Sequence, residues 1–201
     1  MNSKSLILLF SATLLYCLAV ACSCKTCSDE NTAIEVPDSI FSKTNKFISS
    51  KVGAEFFGNY IHPDFLGSRK LNGKYEVRYN FRMIDYDFVD EEVLIVTDSL
   101  GNIPKGALIK GIPDCMKRWG CNFKIDKNRA IEIGVANLLP EGIKEWSVEF
   151  RWSDVVNRYI WHVLSTTSEF GSKENYKADG FEIMIDPVNG EVLKKRAWTI
   201  R

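Results

Sequence analysis

Histidine is almost missing from this chain, and so are the signatures of the common hydrolases and nucleotide-binding enzymes. Only His62 and His162 occur. There is no H-E-x-x-H pair, no G-x-S-x-G nucleophile elbow and no G-x-x-x-x-G-K-[ST] phosphate loop. Charge of one sign is lacking too. The 26 basic residues balance 26 acidic ones, which leaves no basic excess to suggest nucleic acid. No N-x-[ST] sequon is present, and in an exported chain that points to a bacterial rather than a eukaryotic envelope.

What is present begins with an address. After "MNSK", residues Ser5–Ala21 run without a charge and end in small residues, as a secretory signal does. That run is slightly short for a comfortable membrane span. Cys22 follows Ala19-Val20-Ala21, and the arrangement resembles the lipobox of bacterial lipoproteins. The resemblance implies cleavage before Cys22 and acylation of that cysteine. Ala19 stands where the lipobox usually carries a larger aliphatic residue, and Cys24 is a second candidate for the anchor. Acylation at Cys22 leaves Cys24, Cys27, Cys115 and Cys121, an even set that can pair in an oxidising compartment. "CSCKTC" offers three thiols without a following histidine, which is short of a closed metal site. Residues 1–21 are therefore expected to be a lipoprotein signal peptide and residues 22–36 a flexible polar tether.

About 180 residues remain beyond the signal, enough for one large domain or two small ones. Helical spacing starts at Pro37, with Asp38 or Ser39 as the cap and Ile40, Phe41, Phe47, Ile48, Val52 and Phe56 on one stripe. "YEVRYNFRM" then alternates, with Tyr75, Val77, Tyr79, Phe81 and Met83 on the core side. An acidic loop, residues 85–92, precedes the strand "VLIVTDSLGNI" and its turn at Asp98–Gly101. The plan returns in the second half. Asp126 caps a helix with Ala130, Ile131, Gly134, Val135 and Leu138 on its stripe, and Pro140 ends it. "KEWSVEFRW" turns Trp146, Val148, Phe150 and Trp152 inward, "YIWHVLST" is the next strand, and a polar loop separates it from a hairpin turning at Asp186–Gly190.

Tyr75 and Tyr159 lie 84 residues apart, and Asp98 and Asp186 lie 88 apart, so the order of elements repeats. The fold class expected is α+β: two α-β-β(-β) units, with antiparallel sheet and helices packed on one face. The units span 37–112 and 113–201.

The second unit carries Ala130-Ile131, Trp161-His162-Val163 and the run Ile185-Asp186-Pro187-Val188-Asn189-Gly190-Glu191-Val192. Over about 70 residues it resembles the PepSY-like family of bacterial envelope proteins. The first unit fits more loosely, because it lacks the W-x-V segment and its turn is one residue shorter. The resemblance implies a small non-catalytic binding domain of the kind found in peptidase propeptides. No peptidase domain follows in this chain, so any restraint of a peptidase is expected in trans.

Candidate chemistry is sparse. His162 lies inside a strand and reads as a partly buried, hydrogen-bonded residue, while His62 sits in a turn-like "YIHPDF". Asp85, Asp87, Asp90, Glu91 and Glu92 could hold calcium, but the EF-hand glycine and final glutamate are absent, so no metal site is assigned. Cys115 and Cys121 are expected to close a disulfide around a loop whose Arg118 and Trp119 can touch a partner. The basic residues of "LKKRAWTIR" read as edge-strand protection. The expected function is that of a lipid-anchored envelope protein binding a protein or peptide, without cofactor, at the outer membrane or cell surface. The alternatives are a small-ligand carrier with a cystatin-like or NTF2-like cavity, and a hydrolase joining His162 to Asp154 or Glu149.

Overall fold

The computed structural model describes residues 36–115 and 121–201. The signal, the tether as far as residue 35, Cys22, Cys24, Cys27, Arg118 and Trp119 lie outside the described residues. Helix α1 (Asp38–Val52) follows Pro37. Neither Asp38 nor Ser39 caps it. The helix starts one residue earlier than the sequence suggested, Pro37 precedes it without a side-chain cap, and Asp38 instead meets the positive end of the dipole. Ile40, Phe41, Thr44, Ile48 and Val52 form its buried stripe. Gly53, at φ 93°, ends the helix because that angle lies outside the helical region, and the short α2 (Ala54–Tyr60) follows.

The first antiparallel sheet has the order β1-β2-β3-β4, from Ile61–Leu71, Lys74–Met83, Tyr86–Thr97 and Ile109–Lys110. In β2 the five expected inward residues are all buried. Tyr79 carries α1: its ring meets Phe41 edge-on at 6.4 Å, and its hydroxyl is bonded to Thr44 and Asn45. Burial pushes the Tyr79 hydroxyl up to about 12, with the Thr44 hydrogen bond opposing.

Two expectations for this half are corrected. His62 does not lie in a turn; it is an exposed residue of β1 opposite Asn80. Asp64 accepts from Gly67 N at 2.8 Å within a bulge between Asp64 and Arg69, which breaks the alternation that would have revealed the strand. The acidic stretch is mostly strand rather than loop. Asp90 pairs with Arg82 and Glu92 with Arg78 across β2 and β3, so cross-strand cations hold the carboxylates in place.

The second half repeats the order. Asp126 accepts from Arg129 N at 2.7 Å and caps α3 (Lys127–Ala136), as the sequence suggests. The second sheet is β5-β6-β7-β8, from Ser147–Ser153, Arg158–Phe170, Lys177–Ile185 and Val192–Ile200. The stripe of α3 is rotated from the expected one. Ala130 and Gly134 are buried, whereas Val135 and Leu138 are exposed, because the Trp146 ring lies against Gly134 and sets that face inward. The polar loop shrinks to residues 171–176, since backbone pairing carries β6 and β7 past the apolar core as a polar ribbon. The turn at Asp186–Gly190 stands, closed by Gly190 N to Asp186 O at 2.9 Å.

The fold is thus α+β, and the two sheets share one core. Phe81 meets Tyr159 at 5.4 Å, Phe88 meets Trp161 at 4.9 Å, and Phe150 stacks on Tyr159 at 5.3 Å. Such pairs add about 0.5–1.5 kcal/mol each beyond the area they bury.

On the outer face of the second sheet, Gly180 lies under the ring of Trp198 and against the Ser165 carbonyl. A side chain there would collide with that carbonyl and approach Trp198 Cε2 to 2.8 Å. Gly180→Ala is expected to destabilise the protein by about 1–3 kcal/mol, read as a lower urea midpoint at unchanged m-value. An unchanged midpoint would show that the strand tolerates a side chain at this position.

Candidate functional site

The connector after β4 joins the two halves and shapes a groove between them. Gly111 takes φ 76°, and any side chain there would strike the Glu92 carbonyl. Its own carbonyl accepts from the Tyr159 hydroxyl at 2.8 Å. Further along, Cys115 and Cys121 are joined by a disulfide with their Cα atoms 4.8 Å apart. Closing so short a loop stabilises by about 2 kcal/mol in the loop-entropy account. The chain is then tied to the second sheet: Ile125 N donates to Pro187 O at 3.0 Å, and Trp161 Nε1 donates to Ile125 O at 2.6 Å.

The groove has a volume of about 550 Å³ and is lined by Phe47 and Lys51 of α1, Ile109 and Ile112, and Trp152 and Asn157. Asp114, beside the disulfide, lines it as well. Behind it lies a smaller cavity of about 100 Å³ that includes Cys121, Phe123 and the Arg158–Asp186 pair at 3.1 Å. Lys51 Nζ stands 5.4 Å from the centre of the Phe47 ring, a cation–π geometry. Trp152 Nε1 donates to Asp154 at 3.2 Å, and Asp154 also binds Lys110 at 2.6 Å. The Lys110 ammonium holds the Asp154 carboxyl below its ordinary value. This end of the groove therefore presents an aromatic edge with fixed charges beside it.

Beneath Trp152, Glu91 of β3 reaches across to β5. Burial pushes its carboxyl up to about 7, a hydrogen bond from the Trp152 backbone N–H opposes this, Asp90 and Glu149 add to the rise, and Arg151 counters it. The Tyr159 hydroxyl is held well above its ordinary range, mainly by burial and also by the Glu91 charge. Sequence reasoning grouped Glu91 with its acidic neighbours. Nothing local distinguishes it, because its environment comes from a strand about sixty residues away.

The remaining candidates fall elsewhere. His162 is buried on the outer face of the second sheet and bonds Glu182 at 2.6 Å. Glu149 is its register partner on β5, but its carboxylate accepts from Ser147 at 3.0 Å, and Asp154 lies at the junction with Lys110. Among the described residues, no group of three or more His, Cys, Asp or Glu side chains is placed to hold a metal, and no helix is long and apolar enough to cross a membrane. Of the Asp85–Glu92 carboxylates, Asp90 pairs with Arg82, Glu92 with Arg78, and Glu91 turns towards the Trp152 backbone.

The raised Glu91 value has a consequence for stability. The folded form holds the proton more tightly than the unfolded one, so this group's contribution declines as pH rises from about 4.5 towards about 7 and is constant above. Glu91→Gln keeps an acceptor for Trp152 N–H but removes the charge. Its melting temperature is expected to exceed that of the parent at pH 8 and to approach it at pH 5. Parallel curves for the two proteins across that range would show that Glu91 carries no such burden.

None of the known protein-family models matches this chain, and no curated protein matches it.

Proposed function

We propose that this chain is an exported bacterial envelope protein, anchored by a lipid on Cys22, that binds a protein or peptide partner and performs no chemistry of its own. The observation that carries the reading is the junction groove. Aromatic and aliphatic side chains from both halves line it, a disulfide fixes the ends of a neighbouring loop, and that loop's sequence supplies Arg118 and Trp119 as contacts. Buried aromatics flanked by cations are the usual anchors of protein interfaces. Tyr79, Phe81 and Trp161, by contrast, are almost wholly buried in the core. The resemblance to PepSY-like domains gives the partner a class: a peptidase restrained in trans.

The test is crosslinking of the anchored protein in its native membrane, followed by mass spectrometry of what co-purifies. A peptidase in stoichiometric yield is expected, and Trp119→Ala should reduce its recovery roughly tenfold or more. Equal recovery from that variant and from Trp152→Ala would remove the groove from the account. Cys22→Ser is expected to release the protein from the membrane fraction, and retention there would overturn the anchoring.

A further inference from the structure

We propose that the outer face of the second sheet holds a binding groove for a neutral saccharide chain, separate from the junction groove and independent of what binds there. The groove has a volume of about 440 Å³. Leu164, Thr166 and Glu182 line it, together with Trp198, Tyr176 and Lys144.

The aromatic groups are held in place before any ligand arrives. Trp198 lies over Gly180, where no side chain intervenes, and its Nε1 donates to Ser165 O at 3.2 Å. Tyr176 stands beside the Glu169–Lys144 ion pair. Groups already fixed lose little freedom on binding. A flat ring in a mainly apolar groove that also holds a few polar groups suits a ligand with an apolar C–H face and a rim of hydroxyls, and sugars have that form.

The charges disfavour an anionic ligand. Glu182 is 6% exposed and bonded to both His162 and Arg196. Burial raises its carboxyl, yet Arg196 and His162 outweigh this and hold it below its ordinary value. It is therefore an ionised acceptor whose charge is already compensated. Lys144 is matched by Glu169 in the same way. An anionic ligand would meet the Glu145 carboxylate, which also lines the groove, and cations already matched, whereas hydroxyls can use the acceptor lone pairs that remain on a carboxylate.

The experiment titrates the purified full chain with tetrasaccharides of N-acetylglucosamine, β-1,4-glucose and α-1,4-glucose, following tryptophan fluorescence and heat. Saturable binding of at least one is expected with Kd of about 1 mM or tighter. Trp198→Ala should weaken it by about tenfold. Trp198 also covers Gly180, so Tyr176→Ala serves as the second variant and should weaken binding with an unchanged melting temperature. Trp152→Ala, in the other groove, should leave it as in the parent. No saturation by any of the three sugars up to about 10 mM, or binding undiminished in both Trp198→Ala and Tyr176→Ala, would overturn the proposal.

Discussion

The structure depends on the aromatic contact between its two sheets. Phe81 and Phe88 of the first meet Phe150, Tyr159 and Trp161 of the second at centroid distances of 4.9–5.4 Å, and within the second sheet Phe150 stacks on Tyr159. A four-stranded sheet with one or two helices has too little apolar area to spare, so each half completes its core with the other's rings. Rings with polar tips add a condition: a buried hydroxyl or indole N–H needs a partner. The connector supplies both. Gly111 O receives the Tyr159 hydroxyl and Ile125 O receives the Trp161 N–H, so the segment linking the halves is also what satisfies the seam.

The same seam explains the polar features around it. Where β3 comes beside β5, Glu91 meets the Trp152 backbone N–H and is partly desolvated there. Gly111 must be glycine because the connector passes so close to the Glu92 carbonyl. The junction groove is the outward side of this joint, where α1, the connector and the β5–β6 turn do not quite close. A partner seated there would touch both halves at once, so its binding would oppose their separation.

What the sequence makes legible is what short-range chemistry determines. β2 was visible because one face of it is dry, β5 because its apolar side chains alternate onto the core side, the capping of α3 because Asp126 stands just before the periodic run, and the final hairpin because Asp-Pro-x-x-Gly builds its turn. β1 was hidden by its bulge, and the start of β3 by carboxylates that read as a loop until Arg82 and Arg78 appear opposite them. The disulfide was legible from spacing and compartment alone. The groove was not, since Phe47, Ile112 and Trp152 come from three separate stretches, and no local pattern records that they meet.

The outer face of the second sheet raises a different question. Ile160 and Met184 are almost fully buried there beside His162 and Glu182, although α3 packs on the opposite side against Trp161. Hydrophobic residues of similar size would serve a purely structural face at lower cost, because ion pairs taken out of water seldom recover their desolvation. Once present, the trio constrains itself: removing Arg196 or His162 would leave Glu182 buried with one counterpart fewer. That interdependence fixes the lateral register of β6, β7 and β8, since the three residues come one from each strand. It also fixes where the Glu182 carboxylate points relative to the ring of Trp198. A rigid acceptor beside a rigid ring is an arrangement that recognition needs and packing alone does not.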